Sequence, residues 1–162
     1  METVIQLNSG AKLSPHFTLG EMTKSSSHPE VYNIPSHEAI ANLKRLCGWL
    51  EVLRERYNQK YGVGEEPIRI NSGYRSPQLN RKIGGVATSN HLTGCAADIK
   101  VAGMEQLLRY ATILLDYADE SKLEFDELLI ERNRYGAIWL HFAVRPSGNR
   151  RKVSFINTIT HG

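Results

Sequence analysis

Cysteine is scarce in this sequence, because its 162 residues contain two cysteines, Cys47 and Cys95. They lie far apart and form no CxxC pair, so neither a disulfide framework nor a cysteine-rich metal site is predicted. No apolar run approaches transmembrane length, and residues 1–10 lack the basic start and apolar stretch of a signal peptide. We therefore expect a chain made in the cytoplasm without a signal peptide, and without membrane insertion.

A large excess of one charge is also absent, since the formal net charge is +3. Hydrophobic residues make up 41% of the chain and charged residues 23%, which is ordinary globular composition and argues against a disordered chain. Basic residues recur near the C-terminus, but no basic stripe interleaved with aromatic residues accompanies them. We expect one globular domain, a monomer, with no nucleic-acid partner.

The order of apolar patterns predicts an α+β fold. Residues 1–36 are polar and turn-rich and are interpreted as an N-terminal arm, and residues 145–162 as a basic C-terminal tail. Apolar residues recur at helical spacing after Ser36, a plausible N-cap, and again over residues 104–119. Strands are predicted at 68–71, 96–101, 125–131 and 137–144, with 152–156 as an edge strand. The expected domain is a mainly antiparallel sheet with helices packed on one side.

Three residues have the chemistry of metal ligands: His91, Asp98 and His141. Two histidines and one carboxylate are a ligand set of catalytic zinc, which leaves one position open. Strand alternation places His141 and Trp139 on the face opposite the apolar one. Each residue alone has a simpler interpretation, because a strand histidine is often only hydrogen-bonded and an aspartate after a glycine turn often only caps.

Several segments, in order and correctly spaced, resemble one peptidase family. They are Asn71-Ser72-Gly73-Tyr74-Arg75-Ser76-Pro77, then Asn80, Gly84-Gly85, Ser89, His91, Gly94, Ala96 and Asp98, then Trp139-Leu140-His141, with Phe17-Thr18-Leu19-Gly20-Glu21-Met22 upstream. The family is that of zinc D-alanyl-D-alanine carboxypeptidases, which includes phage endolysin peptidases. The resemblance covers roughly residues 15–145 and implies a hedgehog/DD-peptidase-like fold.

The resemblance implies roles for particular residues. One zinc ion per chain would be held by His91, Asp98 and His141. Arg75 would lie near the metal and steady the substrate or the oxyanion, although a structural ion pair is the alternative. Substrate contacts are predicted for Tyr74, Ser89 and Trp139. For Ser89 a turn hydroxyl, and for Trp139 a partly buried strand aromatic, are equally good interpretations.

The general base is the point at which the sequence departs from the family. Many members have Glu or Asp three residues before the last histidine, where this chain has Ile138. The segment Phe125-Asp126-Glu127-Leu128-Leu129-Ile130-Glu131 resembles another part of the family pattern. We therefore predict Glu131 as the base, with Glu127 as the second choice.

The function implied by the resemblance is zinc-dependent hydrolysis of peptide bonds in peptidoglycan stem peptides. The enzyme would be a D-Ala-D-Ala carboxypeptidase or an endopeptidase, delivered to the cell wall in the manner of a phage or prophage protein. The alternative, favoured by Ile138, is a catalytically weak or inactive zinc-containing module that binds the cell wall.

Overall fold

The computed structural model describes residues 8–25, 27–62 and 64–158. The N-terminal segment forms a small hairpin, β1 (Lys12–Ser14) with β2 (Phe17–Thr18), followed by helix α1 (Leu19–Thr23). Phe17, Leu19 and Met22 are buried in the core. The described part of the predicted polar arm is therefore packed onto the domain, and residues 1–7 lie outside the described residues.

Two long helices provide most of the apolar surface opposite the sheet. Helix α2 (His37–Tyr61) begins at the predicted N-cap, where the Ser36 hydroxyl accepts a hydrogen bond from the Ala39 amide. Helix α4 (Met104–Ser121) packs against α2, and both helices contact the sheet. Their buried side chains include Leu43, Leu46, Leu50, Leu53, Leu107 and Leu114.

A five-stranded sheet forms the other layer, with the strand order β3-β4-β6-β5-β7. The strands are β3 (Ile70–Ser72), β4 (Ala96–Lys100), β5 (Glu127–Asn133), β6 (Ile138–Ala143) and β7 (Lys152–Thr158). All neighbours are antiparallel except β5 and β7, which run parallel. The predicted edge strand exists, so residues 152–158 of the basic tail belong to the sheet.

Two short helical segments connect β3 to β4. Helix α3 (Pro77–Ile83) starts at Ser76, as the Ser-Pro pair predicts, and a 3₁₀ helix spans Asn90–Thr93. Gly94 then has φ 76°, and a Cβ there would lie 2.5 Å from the Ala39 carbonyl oxygen. Glycine is therefore required for this left-handed turn, which sets the 3₁₀ helix against α2 immediately before β4.

The core lies between the helices and one face of the sheet. Ile99, Leu140 and Phe142 point into it and are fully buried. The predicted α+β class, with a mainly antiparallel sheet and helices on one side, is confirmed. Among the described helices, none has the length and apolar character needed to span a membrane.

Candidate metal centre

The sheet register brings the three predicted metal ligands together. Asp98 on β4 pairs directly with His141 on β6, and His91 approaches from the 3₁₀ helix. Asp98 Oδ1 lies 3.0 Å from His141 Nδ1 and 3.3 Å from His91 Nε2. One ligand atom from each residue lies within 4.8 Å of the other two, and all three residues are buried. The cluster has the dimensions of a metal site.

The second nitrogen of each histidine is already occupied. His91 Nδ1–H donates to the Gly73 carbonyl at 2.6 Å, and His141 Nε2–H donates to Glu127 Oε1 at 3.0 Å. A Cβ on Gly73 would lie 2.4 Å from the Met22 carbonyl oxygen, so only glycine allows this close packing. These bonds leave His91 Nε2 and His141 Nδ1 as the lone-pair donors, and both face Asp98. Such outer hydrogen bonds orient the histidine ligands of metals.

The electrostatics of the cluster favour a positive charge at this point. Burial lowers the pKa of His91, and the Arg75 guanidinium adds to that effect. Burial also opposes the charged form of His141, but its bonds to Asp98 and Glu127 raise its pKa to about 10. Burial would raise the pKa of Asp98, yet the two histidines hold it well below its usual range. A metal ion would supply the positive charge that the His141 proton otherwise provides.

The two candidate bases have different surroundings. Glu127 accepts hydrogen bonds from His141 and, at 2.6 Å, from Asn90 Nδ2, which outweigh burial and lower its pKa. Glu131 Oε1 lies 3.5 Å from His141 Nδ1, and no hydrogen bond from a described residue engages its carboxylate. Burial and the nearby Asp98 raise the pKa of Glu131 to about 7, against the charges of His141 and Arg75.

Ile138 faces away from the centre. It lies on β6 three residues before His141, so strand alternation puts the two side chains on opposite faces. Ile138 packs against the hydrophobic core, and a carboxylate at this position would point toward the helices. In this sheet the two candidate bases on the face of His141, Glu127 and Glu131, come from the neighbouring strand β5.

Arg75 and Ser89 both lie at the edge of the centre. The Arg75 side chain donates from Nη2 to Asp98 Oδ2 at 3.3 Å and from Nε to Ser72 Oγ at 3.1 Å. Ser89 caps the 3₁₀ helix, its hydroxyl accepting from the His91 amide at 3.1 Å. Both residues line the same cavity as the ligands, so each combines a structural contact with access to that cavity.

The two predicted aromatic contacts have different locations. Trp139 lines the cavity and is buried, and its indole N–H has no acceptor among the described residues. Tyr74 instead packs within the hydrophobic core and is not part of the cavity wall. The geometry therefore supports Trp139 as a substrate contact and gives no support to Tyr74.

Four polar residues of the site were not singled out from the sequence. Asp126 is fully buried at the start of β5, where Asn90, Arg145 and Arg150 surround it. Asn90 is adjacent to His91, and Asp126 lies in the segment that resembles the family. The two arginines belong to the predicted basic C-terminal tail.

The cavity over the ligands has a volume of about 640 Å³. A cavity of about 700 Å³ beside α2 and residues 144–149 is larger, but none of the three ligands lines it. We assign function to the smaller cavity because it contains the metal centre.

Two histidines and one carboxylate, with donor atoms converging on a cavity, define a site of the class found in zinc hydrolases. Residues 15–117, more than half of the chain, match the family model described as Peptidase M15. The chain belongs to this peptidase family, which confirms the predicted relationship. The matched region contains His91 and Asp98, while His141 and both candidate bases lie beyond it.

One curated relative is the "Zinc D-Ala-D-Ala carboxypeptidase" of Streptomyces albus G. It is 30% identical over 84 residues, which is 52% of this chain and 31% of that protein. The match therefore spans about a third of the length of the relative.

Proposed function

We propose that this protein is a zinc-dependent peptidase that hydrolyses peptide bonds in peptidoglycan stem peptides. Membership of the Peptidase M15 family supports the reaction class, and the name of the curated relative supports the metal and a D-Ala-D-Ala peptide. The observation that carries the proposal is the convergence of His91 Nε2 and His141 Nδ1 on Asp98, with the Glu131 carboxylate 3.5 Å from His141 Nδ1. The digestion experiment below identifies the bond that is cut and so distinguishes a carboxypeptidase from an endopeptidase reaction.

The residues present fit one zinc ion. His91, Asp98 and His141 would hold it, since the other nitrogen of each histidine is bonded to an oxygen acceptor. A zinc ion in such a site polarises a carbonyl and makes water a better nucleophile at neutral pH.

Glu131 is the residue that we propose to transfer the proton. Its carboxylate lines the cavity beside the three ligands and accepts no hydrogen bond from a described residue, so it is placed to accept a proton from water and return it to the leaving amine. Glu127 is a weaker candidate because its oxygens already bind His141, Asn90 and Arg150. We propose that Glu127 orients His141.

Arg75 and Trp139 are proposed to position the substrate. The guanidinium is buried and held by Asp98 and Ser72, so it presents a fixed positive charge to an oxyanion or a carbonyl. Trp139 provides an aromatic wall and an indole N–H that a peptide carbonyl can satisfy. Ser89 sets the position of His91 through its cap.

The alternative of a non-catalytic cell-wall-binding module depended on Ile138. That argument loses force because the Ile138 side chain faces the helices, whereas Glu131 lies on the face of the ligands. Delivery to the cell wall by a phage and a monomeric state remain predictions from the sequence.

The test is digestion of purified bacterial peptidoglycan, with released fragments identified by mass spectrometry. We expect stem-peptide fragments or D-Ala to be released by the zinc-loaded protein, to disappear after chelation, and to return when zinc but not magnesium is restored. The fragment masses identify the bond. Release of no fragment from several wall types, by protein shown to contain zinc, would contradict the proposal and favour the binding module.

A further inference from the structure

Arg145 and Arg150 line the same cavity as the metal ligands, on the side of Glu127. Glu127 lies between Arg150 and the centre. Its Oε1 is 3.0 Å from His141 Nε2, and its Oε2 is 3.5 Å from Arg150 Nη2. Arg150 is therefore separated from His141 by one side chain, that of Glu127, whereas Arg75 contacts Asp98 directly.

A buried carboxylate fixes this pair. Asp126 Oδ1 accepts the backbone N–H and the Nε–H of Arg150, both at 3.0 Å, and Oδ2 accepts its Nη2 at 2.8 Å. Asn90 Nδ2 donates to Oδ2 at 2.8 Å. Arg145 Nε donates to Asn90 Oδ1 at 3.0 Å and lies 3.2 Å from Asp126 Oδ2. Both guanidinium groups are thus held in place before any ligand binds.

Asp126 does not require Arg145 to satisfy its hydrogen-bonding capacity. Arg150 and Asn90 already donate four hydrogen bonds to that carboxylate. No described residue accepts a hydrogen bond from the two Nη atoms of Arg145 or from Nη1 of Arg150. Their side chains are 33% and 48% exposed, so these donors are accessible from the cavity.

The charge of the cavity wall favours an anion. Four cationic side chains and three carboxylates line it, Asp126 lies behind the two arginines as a fourth carboxylate, and a zinc ion would add two positive charges. The cations are Arg75, Arg145, Arg150 and Lys152, and the carboxylates are Asp98, Glu127 and Glu131. Oriented guanidinium groups suit a carboxylate ligand because they bind it with parallel N–H donors.

We propose that Arg145 and Arg150 form a carboxylate-binding subsite that selects peptides with a free carboxylate close to the bond that is cut. This inference rests on the proposed function, since it assigns a substrate feature to the same cavity. The carboxylate has two sources in such peptides, the C-terminus and an acidic side chain, and the experiment separates them.

The test is calorimetric binding to zinc-loaded protein in the Glu131→Gln background, which limits turnover. One pair of peptides is N-acetyl-L-Lys-D-Ala-D-Ala with a free or an amidated C-terminus. The other is a C-terminally amidated peptide with a γ-linked D-Glu whose α-carboxylate is free or amidated. In one pair we expect the acid to bind about tenfold tighter than the amide, the scale of a charge-assisted hydrogen bond. The responding pair identifies the source of the carboxylate.

Arg145→Gln should abolish this preference, and Arg145→Lys should reduce it. We expect both variants to fold, because Arg150 and Asn90 still satisfy Asp126, and zinc content and thermal unfolding check this. The matched control is Lys152→Gln, which removes a charge from the same wall outside the pair and should keep the preference.

Several outcomes overturn the subsite: equal binding of acid and amide in both pairs, an acid preference that survives Arg145→Gln, or binding of no peptide. These outcomes are independent of whether the unsubstituted protein cleaves peptidoglycan. Failure of the subsite and failure of the proposed peptidase are therefore distinguishable.

Discussion

The two faces of the five-stranded sheet differ completely in chemistry, although neighbouring residues supply both. On β6, Leu140 and Phe142 are fully buried against the helices, while Trp139 and His141 face the cavity. The helix face is apolar, and its stabilisation comes from removing hydrocarbon from water. The cavity face carries buried charges, which cost free energy unless they are paired.

This contrast explains how so small a protein tolerates a charged site. The two most deeply buried carboxylates of the cavity face both have partners, Arg150 for Asp126 and the two histidines for Asp98. The helix face supplies stability without contributing a donor atom to the site. We therefore expect substitutions on the two faces to separate function from stability, and four substitutions test this from the largest effect to the smallest.

His141→Ala should have the largest effect of the four, and the affected quantity should be activity, not stability. Loss of one of three ligands removes the metal, so we expect peptide hydrolysis to fall on the order of 10⁴-fold or more. Zinc content by elemental analysis and fragment release are the measurements. Normal activity at normal zinc content would show that His141 is not a ligand.

Glu131→Gln should lower the rate while leaving the metal in place. Loss of a general base costs roughly 10²–10⁴-fold in kcat, and zinc content should not change because Glu131 is not among the three ligands. Glu127→Gln is the matched comparison on the same strand face. A larger loss of kcat in Glu127→Gln than in Glu131→Gln, at equal zinc content, would reverse the assignment of the two carboxylates.

Leu140→Ala tests the opposite face one residue away from His141. Leu140 is fully buried, so we expect the free energy of unfolding to fall by about 2–5 kcal/mol. Chemical denaturation measures this change, and zinc stoichiometry should stay at one per folded chain. Loss of zinc from the folded variant would show that the two faces are not independent.

Asp126→Asn should have the smallest of the four effects. The substitution should lower the free energy of unfolding, by an amount that depends on pH. Burial would raise the pKa of Asp126, but the Arg150, Asn90 and Arg145 contacts outweigh it and lower the pKa. Its stabilising contribution is therefore complete above the unfolded pKa of about 4 and is lost as pH falls through the lower folded value. At neutral pH we expect a loss of about 2–3 kcal/mol, below that of a fully buried pair because the arginines are partly solvated.

The difference in the free energy of unfolding is measured by chemical denaturation of both proteins between about pH 3 and pH 7, a range that includes the reference pKa of aspartate. The two curves should approach each other toward the acidic end. A gap that is constant over the whole range would mean that the charge of Asp126 does not stabilise the fold.

Local signals in the sequence predicted much of the fold. The serine cap at Ser36 and the apolar periodicity of α2 depend on residues a few positions apart, and the structure contains both. The role of Tyr74 could not be predicted in this way. Its motif placed it beside Arg75, but the turn after β3 directs its ring into the core while Arg75 points to the cavity.

The contacts that anchor the basic tail could not be predicted from the sequence for a different reason. Arg145 and Arg150 meet Asp126 only because residues 145–150 return to the start of β5 before β7 pairs with that strand. The sequence alone predicted only that they belong to a basic C-terminal tail. An ion pair between distant positions leaves no periodic signal in one sequence.

The sequence by itself determined the ligand types, their order along the chain and the sheet face of His141, since strand alternation and ligand chemistry are local properties. Only the tertiary structure decided which nitrogen of each histidine is available, because the Gly73 carbonyl and the Glu127 carboxylate come from other segments. It also gave the two carboxylates different surroundings. Glu127 accepts hydrogen bonds from His141 and Asn90, whereas Glu131 accepts none from a described residue, and the pKa of a carboxyl group depends on the burial and charges that surround it in space.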